Sequence, residues 1–293
     1  MFKGIYCPCI TPINEQGKID YEAFKAQVQR LIDARVDGVL FLGSIGEFYA
    51  FNMDEKKRLV DEMLPFTKGK VKSIIGVGST SYEDVVELAN YSKDADAVIV
   101  ISPYYFGPSA LGAFTYFKKL ANNLSNKIML YNFPARTGSD LDADTVLRIA
   151  KDCENVVAIK DTVDCASHTR KIIEATKSLR KDFCVLSGFD EYYLTNRVSG
   201  GDGVLSGLTN IIPEVFVKMH KAYEGKDFST CMQEAGKISK LMAIYESADL
   251  FIQAVKEATR LRGVNTTELL RGVAVELSSE QKAKIKELIK DYL

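Results

Sequence analysis

The sequence predicts an α/β chain closed into a (β/α)8 TIM barrel and followed by a C-terminal helical extension. Three observations predict it. Short apolar runs alternate with longer segments of helical period along most of the 293 residues, the pattern of parallel strands joined by crossover helices. Eight such pairs follow one another, and eight parallel strands close a barrel. The rival, a doubly wound open sheet, would want a glycine-rich phosphate turn after an early strand, and no G-x-G-x-x-G occurs.

The first run, Gly4–Ile10, precedes a helix over Tyr21–Ala34, whose Phe24, Val28, Leu31 and Ile32 share one face. Val39–Gly43 is the second run, with a helix over Asp54–Phe66. Lys72–Gly78 is the third, with a helix over Tyr82–Lys93; its Gly76-Val77-Gly78 end is explained by a tight strand-to-helix turn. Ala97–Ser102 and Ser109–Asn122 form the fourth unit, Lys127–Tyr131 and Asp142–Lys151 the fifth. Val156–Lys160 is the sixth run, and its unbroken apolar start reads as a strand buried on both faces. A helix over Ser167–Ser178 follows it. Phe183–Ser187 with Glu191–Val198, then Gly203–Leu208 with Glu214–Tyr223, complete the count. The barrel is placed at residues 1–224. Residues 225–293 form the extension, helical over Asp227–Tyr245, Ala248–Leu261 and Ser279–Leu293. No repeat of 20 to 50 residues stands out beyond the alternation itself.

Lys plus Arg number 38 against 39 for Asp plus Glu, a net charge of −1. That balance gives no electrostatic footprint for nucleic acid or an anionic membrane. No apolar run approaches a membrane span, and Met1–Tyr6 does not open a signal peptide, so a cytoplasmic protein is expected. The six cysteines show no C-x-x-C spacing and are expected to be reduced. His168 and His220 are the only histidines, and neither has a ligand-like neighbour at helical spacing. A metal site or a His-based triad is therefore not expected.

In such a barrel the site is built from the carboxyl ends of the strands. Lys160 ends the sixth strand where the run turns polar. Such a lysine ordinarily lays its stem on the strand and keeps its ammonium in water. Apolar walls disfavour the charged form, however, and a neutral amine is the nucleophile that makes a Schiff base with a carbonyl. The other strand ends favour that second role. Gly43-Ser44-Ile45-Gly46 lets backbone N–H groups approach a small carboxylate, or is an ordinary turn. Tyr131, ending the fifth strand, can shuttle protons, and Arg136 beyond it can clamp a carboxylate. Tyr104 and Tyr105 follow the fourth strand, Gly188, Asp190 and Glu191 the seventh, and Ser206 the eighth. One strand-end lysine, one phenol, hydroxyls and an anion cradle fit Schiff-base chemistry on a 2-oxo acid, with the imine as electron sink.

The combination Gly43-Ser44-x-Gly46-Glu47, Tyr131-Asn132-x-Pro134 and Ile159-Lys160-Asp161-Thr162 resembles the dihydrodipicolinate synthase / N-acetylneuraminate lyase family. The match runs the length of the chain with the motifs in order. The resemblance implies a class I aldolase that forms an imine with pyruvate and needs no other cofactor, usually as a homotetramer. It implies Lys160 as the Schiff-base lysine, Tyr131 as the proton relay and Ser44 as the hydroxyl between. Tyr105, with Tyr104 beside it, takes the place of a tyrosine that a neighbouring subunit inserts. Ser44, Ile45 and their N–H groups match the pyruvate carboxylate cradle, although many members carry a second hydroxyl residue where Ile45 stands.

The substrate-selecting residues point in two directions. Arg136 resembles the synthase arginine that grips aspartate semialdehyde. Gly188-Phe189-Asp190-Glu191 resembles the lyase segment whose carboxylates hold sugar hydroxyls, or it is an acidic helix start. Lys160–Asp164, Tyr131–Pro134 and Gly200–Gly203 resemble the 2-keto-3-deoxy sugar acid aldolases. The expected substrate is therefore a 2-keto-3-deoxy sugar acid such as 2-keto-3-deoxygluconate, cleaved to pyruvate and an aldehyde. Dihydrodipicolinate synthase and N-acetylneuraminate lyase are the alternatives. A catalytically silent binding barrel has no need of Lys160, Tyr131 and Ser44 together. A phosphate-binding barrel would want its glycines after the seventh and eighth strands, and Gly200-Gly201-Asp202-Gly203 precedes the eighth.

Overall fold

Each of the eight apolar runs forms a strand that is buried almost throughout, because helices cover it outside and side chains fill the barrel inside. The computed structural model describes residues 1–272 and 275–293. Its strands are β1 (Gly4–Pro8), β2 (Gly38–Phe41), β3 (Lys72–Gly76), β4 (Ala97–Ile101), β5 (Ile128–Asn132), β6 (Val156–Asp161), β7 (Cys184–Ser187) and β8 (Gly203–Leu205). Between them lie α1 (Tyr21–Asp33), α2 (Met53–Thr67), α3 (Tyr82–Tyr91), α4 (Ala110–Asn123), α5 (Pro134–Thr137), α6 (Ala143–Asp152), α7 (Ala166–Leu179) and α8 (Tyr193–Val198). After β8 come α9 (Pro213–Glu224), α10 (Phe228–Leu241), α11 (Phe251–Leu261) and α12 (Ser279–Leu288).

All neighbouring strands pair in parallel, and β1 closes the barrel on β8 with Ile5 opposite Val204. That seam depends on glycine. Gly203 has φ +147, and a Cβ there would lie 2.0 Å from the Gly4 carbonyl oxygen. Helix starts are set locally. Asp20, Asn52, Ser81, Ser109, Asp142, Asp227 and Ser278 each accept a first-turn N–H of the helix they precede, a contribution of about 1 kcal/mol per cap.

The barrel and the helical extension expected from the sequence are both present; α5 is an added short helix, α11 begins at Phe251 and α12 ends at Leu288 rather than Leu293, and three further differences bear on the site. The eighth run stops as a strand at Leu205, and Gly207–Asn210 is a 3-10 turn that delivers the Leu208 N–H to Asp190. Asp190–Tyr192 is likewise 3-10 before α8 begins. The expected helix over Asp227–Tyr245 breaks after Leu241 into a 3-10 turn, Met242–Glu246, which turns Tyr245 toward the barrel mouth. Among the described residues, no helix is long and apolar enough to cross a membrane.

The C-terminal helices are fastened to the mouth by a buried ion pair. Lys256 of α11 and Glu47, just after the β2 turn, meet with both side chains at 0% exposure. Lys256 also donates to the Leu269 carbonyl at 2.8 Å, and Glu47 accepts the Arg271 N–H at 2.8 Å. Burial pushes the Lys256 ammonium below its usual pKa, against the pull of Glu47. Glu47 itself has φ +56, and so does Leu42 at the start of the same turn. Two left-handed non-glycine residues thus bracket the Ser44-Ile45 segment, the kind of strain that persists only where surroundings hold it.

Candidate active site

Side chains on a strand alternate in direction, so one register pair faces the barrel interior and the next faces the helices. Tyr131 on β5 and Lys160 on β6 are register partners, as are Asn132 and Asp161 one step on. Tyr131 and Lys160 line a cavity of about 240 Å³ at the carboxyl mouth. Asn132 and Asp161 point the other way.

Lys160 is 6% exposed, and its Nζ sits 4.4 Å from the centre of the Tyr131 ring. Tyr131 stacks on Phe133 and lies 3.3 Å, oxygen to oxygen, from Ser44. Ser44 and Ile45 form the opposite wall, and among the described residues their N–H groups make no backbone hydrogen bond. An amine, a phenol and a hydroxyl therefore gather at one small space, lined by a turn whose Ser44 and Ile45 N–H groups carry no backbone bond.

Asp190 forms part of the floor, but its carboxylate is already engaged. Oδ1 accepts the Leu208 N–H at 2.8 Å and Oδ2 accepts the Tyr245 hydroxyl at 2.6 Å. Burial pushes the Asp190 carboxyl up, against the Tyr245 bond and the Lys160 charge. Burial, then Asp190, push the Tyr245 phenol up as well. Above this pair Gly207 leaves the room that a side chain would take. A Cβ there would lie 2.5 Å from both Ile45 Cδ1 and Tyr245 Oη.

The other residues singled out from the sequence are distributed as follows. Gly188 lines the cavity beside Thr162, and Gly46 and Ser206 are buried behind it. Arg136 and Tyr104 line an adjoining chamber of about 310 Å³ that shares Ser44, Phe133 and Phe251 with the first. Glu191 is exposed and lines neither, so the two carboxylates do not stand side by side: Asp190 is bonded internally and Glu191 faces solvent. Tyr105 is 85% exposed, outside both spaces. Tyr245, Met242 and Phe251 complete the cavity from the extension. Nothing in their spacing marks them as site residues, because they reach the mouth only through the break after Leu241. Thr162, within the Lys160 motif, also lines the cavity with no role assigned from sequence.

The family model described as the dihydrodipicolinate synthetase family matches residues 1–292. A relative from Escherichia coli (strain K12), "Probable 2-dehydro-3-deoxy-D-pentonate aldolase YjhH", is 33% identical over 98% of this chain and 96% of its own length. A 4-hydroxy-tetrahydrodipicolinate synthase of Methanococcus aeolicus is also 33% identical, over 99% of both chains. Among solved structures, YagE, a prophage protein of the dihydrodipicolinic acid synthase family from E. coli K12 in complex with pyruvate, superposes with a TM-score of 0.96. It is 32% identical and covers 99% of this chain and 98% of that one.

Proposed function

The chain belongs to the dihydrodipicolinate synthetase family, and from that premise we propose that it cleaves a 2-keto-3-deoxy sugar acid, such as 2-keto-3-deoxygluconate, to pyruvate and an aldehyde through an imine on Lys160. It is a carbon–carbon lyase of the class I aldolase type, as members of the family are. The observation that carries the reading is the convergence of Lys160, Tyr131 and Ser44 on one cavity.

The Lys160 amine attacks the keto carbon, Tyr131 gives the proton with which water leaves, and an iminium forms beside the phenolate. The phenolate takes the proton of the C4 hydroxyl, the C3–C4 bond breaks, and its electron pair enters the iminium to form an enamine. The aldehyde departs. Tyr131 returns that proton to C3, and water hydrolyses the iminium to pyruvate and free lysine, the proton released going back to the phenolate. Ser44, 3.3 Å from Tyr131, extends the proton path. The substrate carboxylate rests on the N–H groups of Ser44 and Ile45, where Ile45 adds no side-chain donor.

The sugar-acid limb is supported by the likeness to YjhH. A second reading, condensation of pyruvate with aspartate semialdehyde, is favoured by Arg136, which lines the adjoining chamber and is of a type that suits a carboxylate. The engaged Asp190 and outward Glu191 count against N-acetylneuraminate as substrate. For assembly we propose a homotetramer. Tyr105, at φ +77, and Phe106 form an edge-to-face pair, each 85% exposed, and a second copy that receives Tyr105 would complete the site. The six free cysteines, five of them buried, fit a reducing compartment such as the cytoplasm.

The test is intact-protein mass after borohydride treatment with pyruvate, with the modified peptide mapped. A stable adduct on Lys160, absent in Lys160→Ala, is expected, and folded protein without adduct would overturn the imine. With the adduct in hand, turnover of aspartate semialdehyde but not of sugar acids would select the second reading.

A further inference from the structure

Asn132 and Asp161 face away from the cavity, and what covers them closes into a ring of bonds. The Asp161 carboxylate is fully buried. It accepts from Asn132 Nδ2 at 2.9 Å and from Thr169 Oγ1 at 2.6 Å, and it meets His168 Nδ1 at 3.0 Å. His168 Nε2 lies 3.1 Å from Asp140 Oδ2. Asp140 Oδ1 takes the second hydrogen of the Asn132 amide at 2.9 Å, and Asn132 Oδ1 accepts the Leu141 N–H at 3.0 Å. The ring joins the ends of β5 and β6, the segment 139–141 and the first turn of α7. A carboxylate on each ring nitrogen requires both nitrogens to donate, which is the imidazolium form. Asp140 and then Asp161 hold it there, pushing the His168 pKa up to about 10.

We propose that His168 is a positioning residue for the reaction: by bridging Asp161 and Asp140 it fixes how far the Lys160 amine stands from the Tyr131 hydroxyl. The inference rests on the imine chemistry proposed above. Its physical basis is the register. The pair Asn132–Asp161 directly follows the pair Tyr131–Lys160, and consecutive Cα atoms are about 3.8 Å apart, so a sideways shift of the outer pair is carried to the inner one. The charged groups facing the imidazole are Asp161 from β6 and Asp140 from the segment beyond α5; Asn132 and Thr169 are neutral. Without the cation, two carboxylates face each other across one amide, and their repulsion spreads the strand ends.

A residue that only stabilises the barrel would act differently. Arg180 supplies the comparison, because it holds the opposite end of β6 through the carbonyls of Ala150, Cys153 and Val156 at 3.1, 3.4 and 2.8 Å. The experiment measures the rate of borohydride-trappable pyruvate imine, its half-saturation by pyruvate, and the melting temperature. Wild type, His168→Gln, His168→Gln/Asp140→Asn and Arg180→Ala are compared well below their melting temperatures. His168→Gln is expected to slow trapping at least about tenfold, toward the roughly hundredfold loss that a displacement near 1 Å brings, with half-saturation little changed. Asp140→Asn, which removes the excess negative charge, should restore most of the rate. Arg180→Ala should lower the melting temperature and leave the rate intact. A His168→Gln protein as fast as wild type would overturn the inference, as would an Arg180→Ala protein slowed equally at equal loss of stability. Folded wild type that forms no adduct at all would overturn the imine and this inference with it, a result distinct from the other two.

Discussion

Replacing Lys256 by Met tests what holds the Ser44-Ile45 turn in place. The substitution keeps an unbranched side chain of similar length and removes the only cation that contacts Glu47 among the described residues. Glu47 would keep the Arg271 N–H as a partner but would carry its charge at 0% exposure. Breaking a buried pair from one side costs about 3–5 kcal/mol. The backbone strain at Glu47, φ +56, is on the order of 1–3 kcal/mol and persists only while the pair holds it. At roughly 2–4 °C per kcal/mol for a chain of this size, Lys256→Met should melt about 6–20 °C below wild type in differential scanning calorimetry. The double variant Glu47→Gln/Lys256→Met removes the stranded charge and should regain most of the loss, since replacing both members of a buried pair is often near neutral. Because the turn carries the proposed carboxylate cradle, the single variant should also need more pyruvate to half-saturate imine trapping. The reasoning is refuted if Lys256→Met melts with wild type, or if the double variant is as unstable as the two single changes summed.

Tyr131→Phe should leave the fold and the final extent of pyruvate adduct on Lys160 intact while slowing adduct formation and lowering turnover about 10²–10⁴-fold, the usual weight of a positioned proton carrier; single-turnover kinetics beside end-point adduct mass separate rate from extent. Gly207→Ala should raise the half-saturating pyruvate concentration, because the added methyl must displace both Ile45 and Tyr245 from 2.5 Å, and a titration of imine trapping reads it. His168 gives a pH signature. Its folded pKa is raised from 6.5 to about 10, so its stabilisation is fully present below about pH 6.5 and is lost as pH rises through about 10. Urea unfolding at pH 6, 8 and 10 should therefore show a steeper loss for wild type than for His168→Gln, and parallel curves would remove the imidazolium from the account.

The barrel was legible because βα alternation is a local signal. Each strand is a short apolar run and each helix a longer periodic one, so the element order follows from the sequence without knowledge of any contact. Boundaries blurred where a distant group decides them. Leu208 reads as the continuation of an apolar run, yet its N–H is turned out of the ladder by Asp190, eighteen residues earlier. The expected helix over Asp227–Tyr245 breaks after Leu241, and Tyr245 beyond the break bonds to the same Asp190. A single buried carboxylate thus accounts for two of the departures. Adjacency in sequence suggests Glu191 as its pair; a 3-10 turn sends the two apart.

The site divides along the same line. Inner-face groups, Lys160, Tyr131 and Ser44, stand at strand ends where a motif can be recognised. The outer-face groups were harder to see for a reason that period-2 geometry makes definite. Asn132 and Asp161 sit one residue beyond Tyr131 and Lys160, within the same motifs, but they face the helices. Their partners Asp140, His168 and Thr169 are polar residues of ordinary aspect in a loop and a helix start. His168 has no neighbour at helical spacing that announces a role, since both of its partners come from other elements. A histidine so placed reads as solvated or structural. Only the closed barrel, by bringing β5, β6 and α7 to one edge, shows that it stands between two carboxylates directly behind Lys160 and Tyr131.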